Sequence, residues 1–395
     1  MKALKKIIMG AMALILASSM SGCGNNNGGS NTEAAEGSVK IGVQFEMTGV
    51  VADYGTAEMN GAMLAIKDAN AKAGTEKYVA VQYNNKSDTT EAVTLAAQHV
   101  SDGVAGVVGP ATSDNSAATY QILNEAGIPV ISPSATQNNI TIQDVNADPE
   151  KPYDYVYRVC FEDSYQGAAM AQYAYDTLGK KNIVIYADTT DYAKGLSEAF
   201  ENQFTKLGGK VVAKESYVSN DTEFSSVLTK LKGVDFDAMY IPGYYNETGL
   251  IIKQARNMGI DQTILGGDGF DSVVLADLAG AENLNDVYFT TAYTTVDASE
   301  KLQAFIDSYK KEYNVDPSMF SALAYDAASV LIQAIEEAGS VEGAAVQAAL
   351  NNIEYDGVTG AFTFDETHTP IKPVLVVSLV DGVQTKAVNV TPDLK

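Results

Sequence analysis

The chain has 395 residues, enough for two or three domains, and its 46% hydrophobic content supports a large core. A formal net charge of -24 gives a surface that repels phosphate backbones, so nucleic acid is excluded as a partner. The plain role of that charge is to keep the protein soluble.

At the N-terminus, Lys2, Lys5 and Lys6 precede an apolar run from Ile7 to Ala17, which is followed by the small residues Ser18, Ser19, Ser21 and Gly22. The pattern predicts a secretion signal over residues 1–22, too short for a stable membrane span. Met20-Ser21-Gly22-Cys23 resembles a lipobox, with Met where Leu is usual. It predicts cleavage before Cys23 and a lipid on that thiol, anchoring the protein on the outer face of the cell membrane. Residues 23–38 are rich in Asn, Gly, Ser and Glu and read as a flexible tether. The only other cysteine, Cys160, then has no partner, so a buried free thiol is expected and no disulfide framework.

From Val39 onward β-branched runs alternate with helical stretches. The strand VKIGVQF is followed by a helix from Tyr54 to Ala71. YVAVQY then precedes a helix from Thr89 to Val100, and GVAGVVG one from Ser113 to Glu125. IPVISP ends this series, and a polar loop runs from Ser134 to Asp154. The alternation restarts with YVYRVC and a helix from Ser164. NIVIYA, KVVAKESY, DAMYIPG and TILGGD follow, with helices near Tyr192 to Leu207, from Thr222 and from Asn246. After VYFTTAY come helices over Ser299 to Tyr313 and Ser318 to Ala338, then a β-rich tail. Near-continuous apolar strands alternating with helices predict an α/β fold of two doubly wound, Rossmann-like lobes with parallel sheets.

In such sheets ligands sit beyond the carboxyl ends of the strands. Three strand ends carry suitable groups. After GVAGVVG stand Ala111, Thr112 and Ser113, hydroxyls at a helix N-terminus where an anion can bind, although an ordinary N-cap has the same look. After IPVIS stand Ser134, Ala135 and Thr136, a second hydroxyl cluster or simply a loop start. After TILGG stands Asp268 between two glycines, able to approach and pair with an ammonium, or equally a turn residue. Tyr54, Tyr192 and Tyr244 occupy comparable places and suit a lid over a small solute. The two histidines, His99 and His368, have no metal-like spacing, and no nucleophile, P-loop or zinc motif is present. No cofactor, metal or catalytic role is therefore expected.

TGVVADYGTAEMNGAMLAIKDANAKAG, GVVGPATSDNSAATYQILNEAGIPVISPSAT, DTTDYAKGLSEAF, FDAMYIPGYYNETGLIIKQARNMGI, GGDGFDS and DPSMFSALAYDAA occur in this order. Together they resemble the branched-chain amino acid binding proteins, which have the type I periplasmic-binding fold. The resemblance runs from about Val39 to Gly382. It implies two lobes joined by three crossovers, one of residues 39–158 and 288–371, the other of 159–287 and 372–395. It implies that Ser113 and Thr136 hold a ligand α-carboxylate, with Ala111, Thr112, Ser134 and Ala135 beside them. Asp268 would take the α-ammonium, and Tyr54, Tyr192, Tyr244 and Phe320 would line or close the cleft. Several relatives carry Glu at the position of Asp268, so the bound amino acid is open. The implied function is capture of an amino acid by a monomer that hands it to an ABC permease with its ATPases. Receptors for amides, urea or other small polar solutes, and sensory binding proteins, share the fold and stay open as alternatives.

Overall fold

The protein is described by a computed structural model covering residues 37–394; the signal segment, Cys23 and the tether up to residue 36 lie outside it. The first series comprises β1 (Val39–Phe45), α1 (Ala52–Ala73), β2 (Tyr78–Asn84), α2 (Thr89–Asp102), β3 (Gly106–Val108), α3 (Ser113–Glu125) and β4 (Val130–Ser132). A small hairpin, β5 (Ile142–Asp144) and β6 (Lys151–Pro152), breaks the predicted loop before β7 (Val156–Arg158). The second series comprises α4 (Asp163–Gln172), β8 (Asn182–Asp188), α5 (Asp191–Lys206), β9 (Lys210–Tyr217), α6 (Ser225–Leu231), β10 (Ala238–Tyr240), α7 (Tyr245–Asn257), β11 (Thr263–Gly266), α8 (Val274–Ala279) and β12 (Val287–Thr291). The chain then adds α9 (Glu300–Tyr313), α10 (Met319–Ala338), α11 (Gly343–Leu350) and the hairpin β13 (Tyr355–Gly357) and β14 (Gly360–Phe362). It ends in β15 (Val374–Val380) and β16 (Val383–Val390).

Two sheets result. Lobe 1 has five parallel strands in the order β2-β1-β3-β4-β7. Lobe 2 has the parallel order β9-β8-β10-β11-β12, extended by antiparallel β15 and β16. The parallel cores thus repeat one strand order, and each reverses direction beside its first strand, which is where such sheets open a crevice. The central strands are buried along nearly their whole length, as the apolar runs require, whereas the edge strand β9 alternates exposed and half-buried positions up to the buried Tyr217.

Helix starts follow capping chemistry. Asp88, Thr190 and Ser299 accept the N–H three residues on and open α2, α5 and α9. Small residues decide how α1 meets α10. A Cβ on Gly61 would lie 2.1 Å from the Ser321 carbonyl oxygen, so any larger residue there forces the two helices apart.

One expected boundary moves. The run VYFTT forms β12, which pairs Ile264 with Val287 and Thr290 with Val376 inside the lobe 2 sheet. The crossover expected at 287/288 therefore falls after Thr291, because this apolar run completes the second sheet before the chain returns to lobe 1 as α9.

Candidate functional site

Between the carboxyl ends of the two sheets lies a cavity lined by Tyr54, Ala111, Thr112, Ser113, Ser134, Thr136, Tyr192, Tyr244, Asp268, Gly269 and Phe320. Its walls are drawn close together around a small void.

The lobe 1 wall is made of hydroxyls. Ser113 opens α3, and its Oγ accepts the Gln137 N–H at 3.2 Å, leaving its own proton to donate. Thr112 turns away: its hydroxyl (2.8 Å) and N–H (3.0 Å), the Ala111 N–H (3.1 Å) and the Asn115 amide (3.0 Å) all converge on the buried carboxyl of Glu46, at the end of β1. Burial pushes the Glu46 carboxyl up, and these four donors pull against that rise. Part of the anion-binding end of α3 is therefore already occupied by a side chain of its own lobe. Behind Ser134 stands Glu58, wholly buried, with its carboxyl pushed well above the usual range by burial. Ser134 Oγ meets both Glu58 and the Ala111 carbonyl oxygen, the latter at 2.9 Å. A hydroxyl has one proton, so both contacts are satisfied when a neutral Glu58 donates to Ser134 and Ser134 donates to Ala111.

The lobe 2 wall carries the acid. Asp268 is 3% exposed, and its Oδ1 accepts from the Tyr192 hydroxyl at 2.7 Å and the Gln166 amide at 2.9 Å. Gln166 is fully engaged, donating also to Asp163 (2.9 Å) and accepting from Thr290 (2.6 Å) and the Asp268 N–H (3.3 Å). Burial raises the Asp268 carboxyl, opposed by Tyr192 and Gln166. Asp163 is raised well above its usual range by burial first and by the charge of Asp268 second. The arrangement favours a neutral Asp163 beside an ionised Asp268. Gly269 has to be glycine: an added Cβ would meet the Gly243 carbonyl oxygen at 2.5 Å and the Tyr192 hydroxyl at 3.0 Å. Four rings close the space. Tyr54 stacks on Phe320 at 4.0 Å and Tyr192 on Tyr244 at 5.1 Å, and Tyr54 meets Tyr244 edge-on at 5.9 Å.

The structure brings together every expected site residue except Ala135. That side chain packs in the lobe 1 core with Tyr120 and Val130. Its N–H goes to Ser132 (3.0 Å) and its carbonyl accepts from Arg158 (3.4 Å), so it turns no group toward the cavity. The sequence reading missed Glu46, Glu58, Asp163 and Gln166, and noted Gly269 only as a glycine flanking Asp268. Glu58 and Gln166 carried a signal, as polar residues on the buried faces of Ala- and Gly-rich helices. No group of His, Cys, Asp or Glu among the described residues has the arrangement to hold a metal ion.

Two like-ordered α/β lobes meeting over a cavity that sets hydroxyls on one wall against a carboxylate on the other, with aromatic rings around it, define a bilobal solute-binding protein. The chain belongs to the periplasmic binding protein family, whose profile matches residues 38–384 and whose members bind solutes rather than transform them. It is 31% identical to a Leu/Ile/Val-binding protein of Rhizobium johnstonii over 84% of this chain and 89% of that one. Among solved structures it is similar to the branched-chain amino acid transporter substrate-binding protein LivJ of Streptococcus pneumoniae, in complex with isoleucine. There the identity is 40%, the TM-score 0.84, and the match covers 90% of this chain and 100% of that one. A leucine-binding protein, LivK, of Thermotoga maritima is similar at 34% identity and TM-score 0.81, covering 90% and 99%. No described helix is long and apolar enough to cross a membrane.

Proposed function

We propose that the cavity takes a free α-amino acid with an apolar side chain, which the protein, tethered through a lipid on Cys23, delivers to an ABC importer. The observation that carries this reading is the opposition of Asp268 on one wall to Ser113 and Thr136 on the other. A zwitterion needs both: hydroxyl donors and the helix N-terminus for its carboxylate, and a buried acceptor for its ammonium. The four rings then surround the side chain. Ser113 and Thr136 hold the carboxylate in the open cleft, and closure brings Asp268, Tyr192 and Tyr244 over the rest. Micromolar affinity requires only about 8 kcal/mol, within reach of two charge-assisted contacts plus aromatic burial. The isoleucine complex of the Streptococcus pneumoniae relative supports an aliphatic side chain here.

The test is a thermal-shift screen of the chain lacking its first 23 residues against the twenty amino acids and a panel of amides, sugars and polyamines. Isoleucine, leucine or valine should raise the melting temperature by mass action, and Asp268→Ala should abolish the rise. A shift with amides or urea and none with amino acids would sink the reading.

A further inference from the structure

Of the two lobe 1 helices that supply aromatic rings to the cavity, α10 with Phe320 carries its own capping box of Ser318 and Ser321, whereas α1 with Tyr54 has its Asp53 N–H satisfied from lobe 2. The N-cap position of α1 is Val51, which has no side chain to cap with. Instead the Asp53 N–H donates to the Tyr245 hydroxyl of lobe 2 at 3.3 Å. The Asp53 carboxyl, in turn, leaves its own helix and accepts from Ser272 at 2.6 Å. The Asn246 side-chain amide donates to the Val50 carbonyl, the Tyr245 N–H donates to the Tyr54 hydroxyl at 3.2 Å, and that hydroxyl donates to the Gly269 carbonyl. At α10, the lobe 2 carboxyl of Asp271, held by Thr291 at 2.7 Å, faces the backbone of Met319, the first residue of the helix.

From this geometry we infer that cross-lobe helix capping is a latch that sets affinity without setting selectivity. Of the residues involved, only Tyr54 and Gly269 line the cavity; Asp53, Tyr245, Asn246, Asp271 and Ser272 do not. Opening the lobes takes the Tyr245 hydroxyl away from the start of α1 and exposes the Asp53 N–H, for which the sequence supplies no side-chain cap in the helix itself. The apparent dissociation constant is the intrinsic one divided by the fraction of molecules able to close, so each latch bond tightens binding of every accepted ligand by the same factor. The inference rests on the proposed reading in one respect: the ligand is held by the closed form.

The test uses two substitutions outside the cavity, Tyr245→Phe, which removes the cap hydroxyl, and Ser272→Ala. Calorimetric titration with isoleucine, leucine and valine should give dissociation constants raised roughly two- to tenfold by each, the scale of one net hydrogen bond, with the ratios among the three amino acids unchanged. Unchanged constants, or altered ratios, overturn the latch. A fluorescence energy-transfer pair, one dye on each lobe, measured without any ligand separates the two ideas. If no amino acid binds the unsubstituted protein, the functional reading fails and the latch is decided by the dye distances alone. A shift of the variants toward longer distances supports it, and distances equal to the unsubstituted protein overturn it.

Discussion

The two lobes share a strand order, yet they polarise their walls in opposite ways. In lobe 1 the acids stand one layer back. Glu46 ends β1 and folds onto the start of α3, where four donors occupy it, and Glu58 backs Ser134. The groups that face the cavity are therefore hydroxyls. In lobe 2 the acid comes forward: Asp268 meets the cavity, with the Gln166 amide and the Tyr192 phenol braced against it. Strand order supplies the positions in both lobes. The sign of each wall depends on whether the acid at the strand end finds a helix N-terminus in its own lobe. Glu46 finds the start of α3 and is absorbed, whereas Asp268 meets a side-chain amide, a phenol and the N–H groups of its own short turn while still facing the cavity, and its charge stays available.

The most direct way to break this asymmetry is to neutralise one wall at a time. Asp268→Asn removes the only charge facing the proposed ammonium from lobe 2 and should weaken amino-acid binding at least about 100-fold, the usual cost of stripping a buried charge partner. Ser113→Ala leaves the α3 N-terminus in place and should cost only about tenfold. Titration calorimetry on both variants checks the order, and equal losses would mean that the two walls do not differ as described. A second comparison lies within lobe 1. Glu46→Gln sets an amide against converging N–H donors and should lower stability by about 2 kcal/mol. Glu58→Gln replaces a neutral acid by a neutral amide that can still donate to Ser134, and should change stability by less than about 1 kcal/mol. Urea denaturation of both variants decides whether Glu46 is held as an ion and Glu58 as an acid.

Much of this architecture is legible in the sequence because the elements are locally consistent. The residues read as opening the two long late helices, Ser299 and Ser318, stand at the N-cap positions of α9 and α10, and the expected helix from Ser113 to Glu125 has those bounds in α3. Most of VYFTT falls to the wrong lobe on sequence grounds because an apolar strand carries no mark of which sheet it joins; pairing with β11 and β15 decides that. Hydroxyls, Asp268 and tyrosines can be found by inspecting the residues just beyond the carboxyl end of each strand. Ala135 cannot be excluded in that way, since its turn into the core depends on Ser132 and Arg158 claiming its backbone. The residues behind the wall are hidden for a related reason. Gln166 and Glu58 show as polar residues on buried helix faces, but Asp268 and Ser134, which they support, lie more than seventy residues away in sequence, and no local pattern encodes such a meeting.

The smallest expected effect separates the lobes by acid sensitivity. Both histidines lie in lobe 1 or at its edge. His99 is wholly buried in α2 beside Tyr83, neither of its ring nitrogens has a hydrogen-bond partner, and burial lowers it to about 4. His368, which stacks on Tyr157, is lowered as well, first by burial. In the unfolded chain a histidine takes up its proton near pH 6.5. Between pH 6.5 and 4 the unfolded state therefore binds a proton that folded His99 refuses, and stability falls as the pH drops through that window. At pH 5 the loss should be about 1–2 kcal/mol, concentrated in lobe 1. Hydrogen exchange at pH 7 and pH 5, compared after correction for intrinsic rates, should show protection falling in β1, β3 and α2 while β8, β10 and β11 hold. His99→Leu should remove most of that difference. Equal loss of protection in the two lobes, or an unchanged profile in the variant, would show that acid acts through the carboxyls that both walls share.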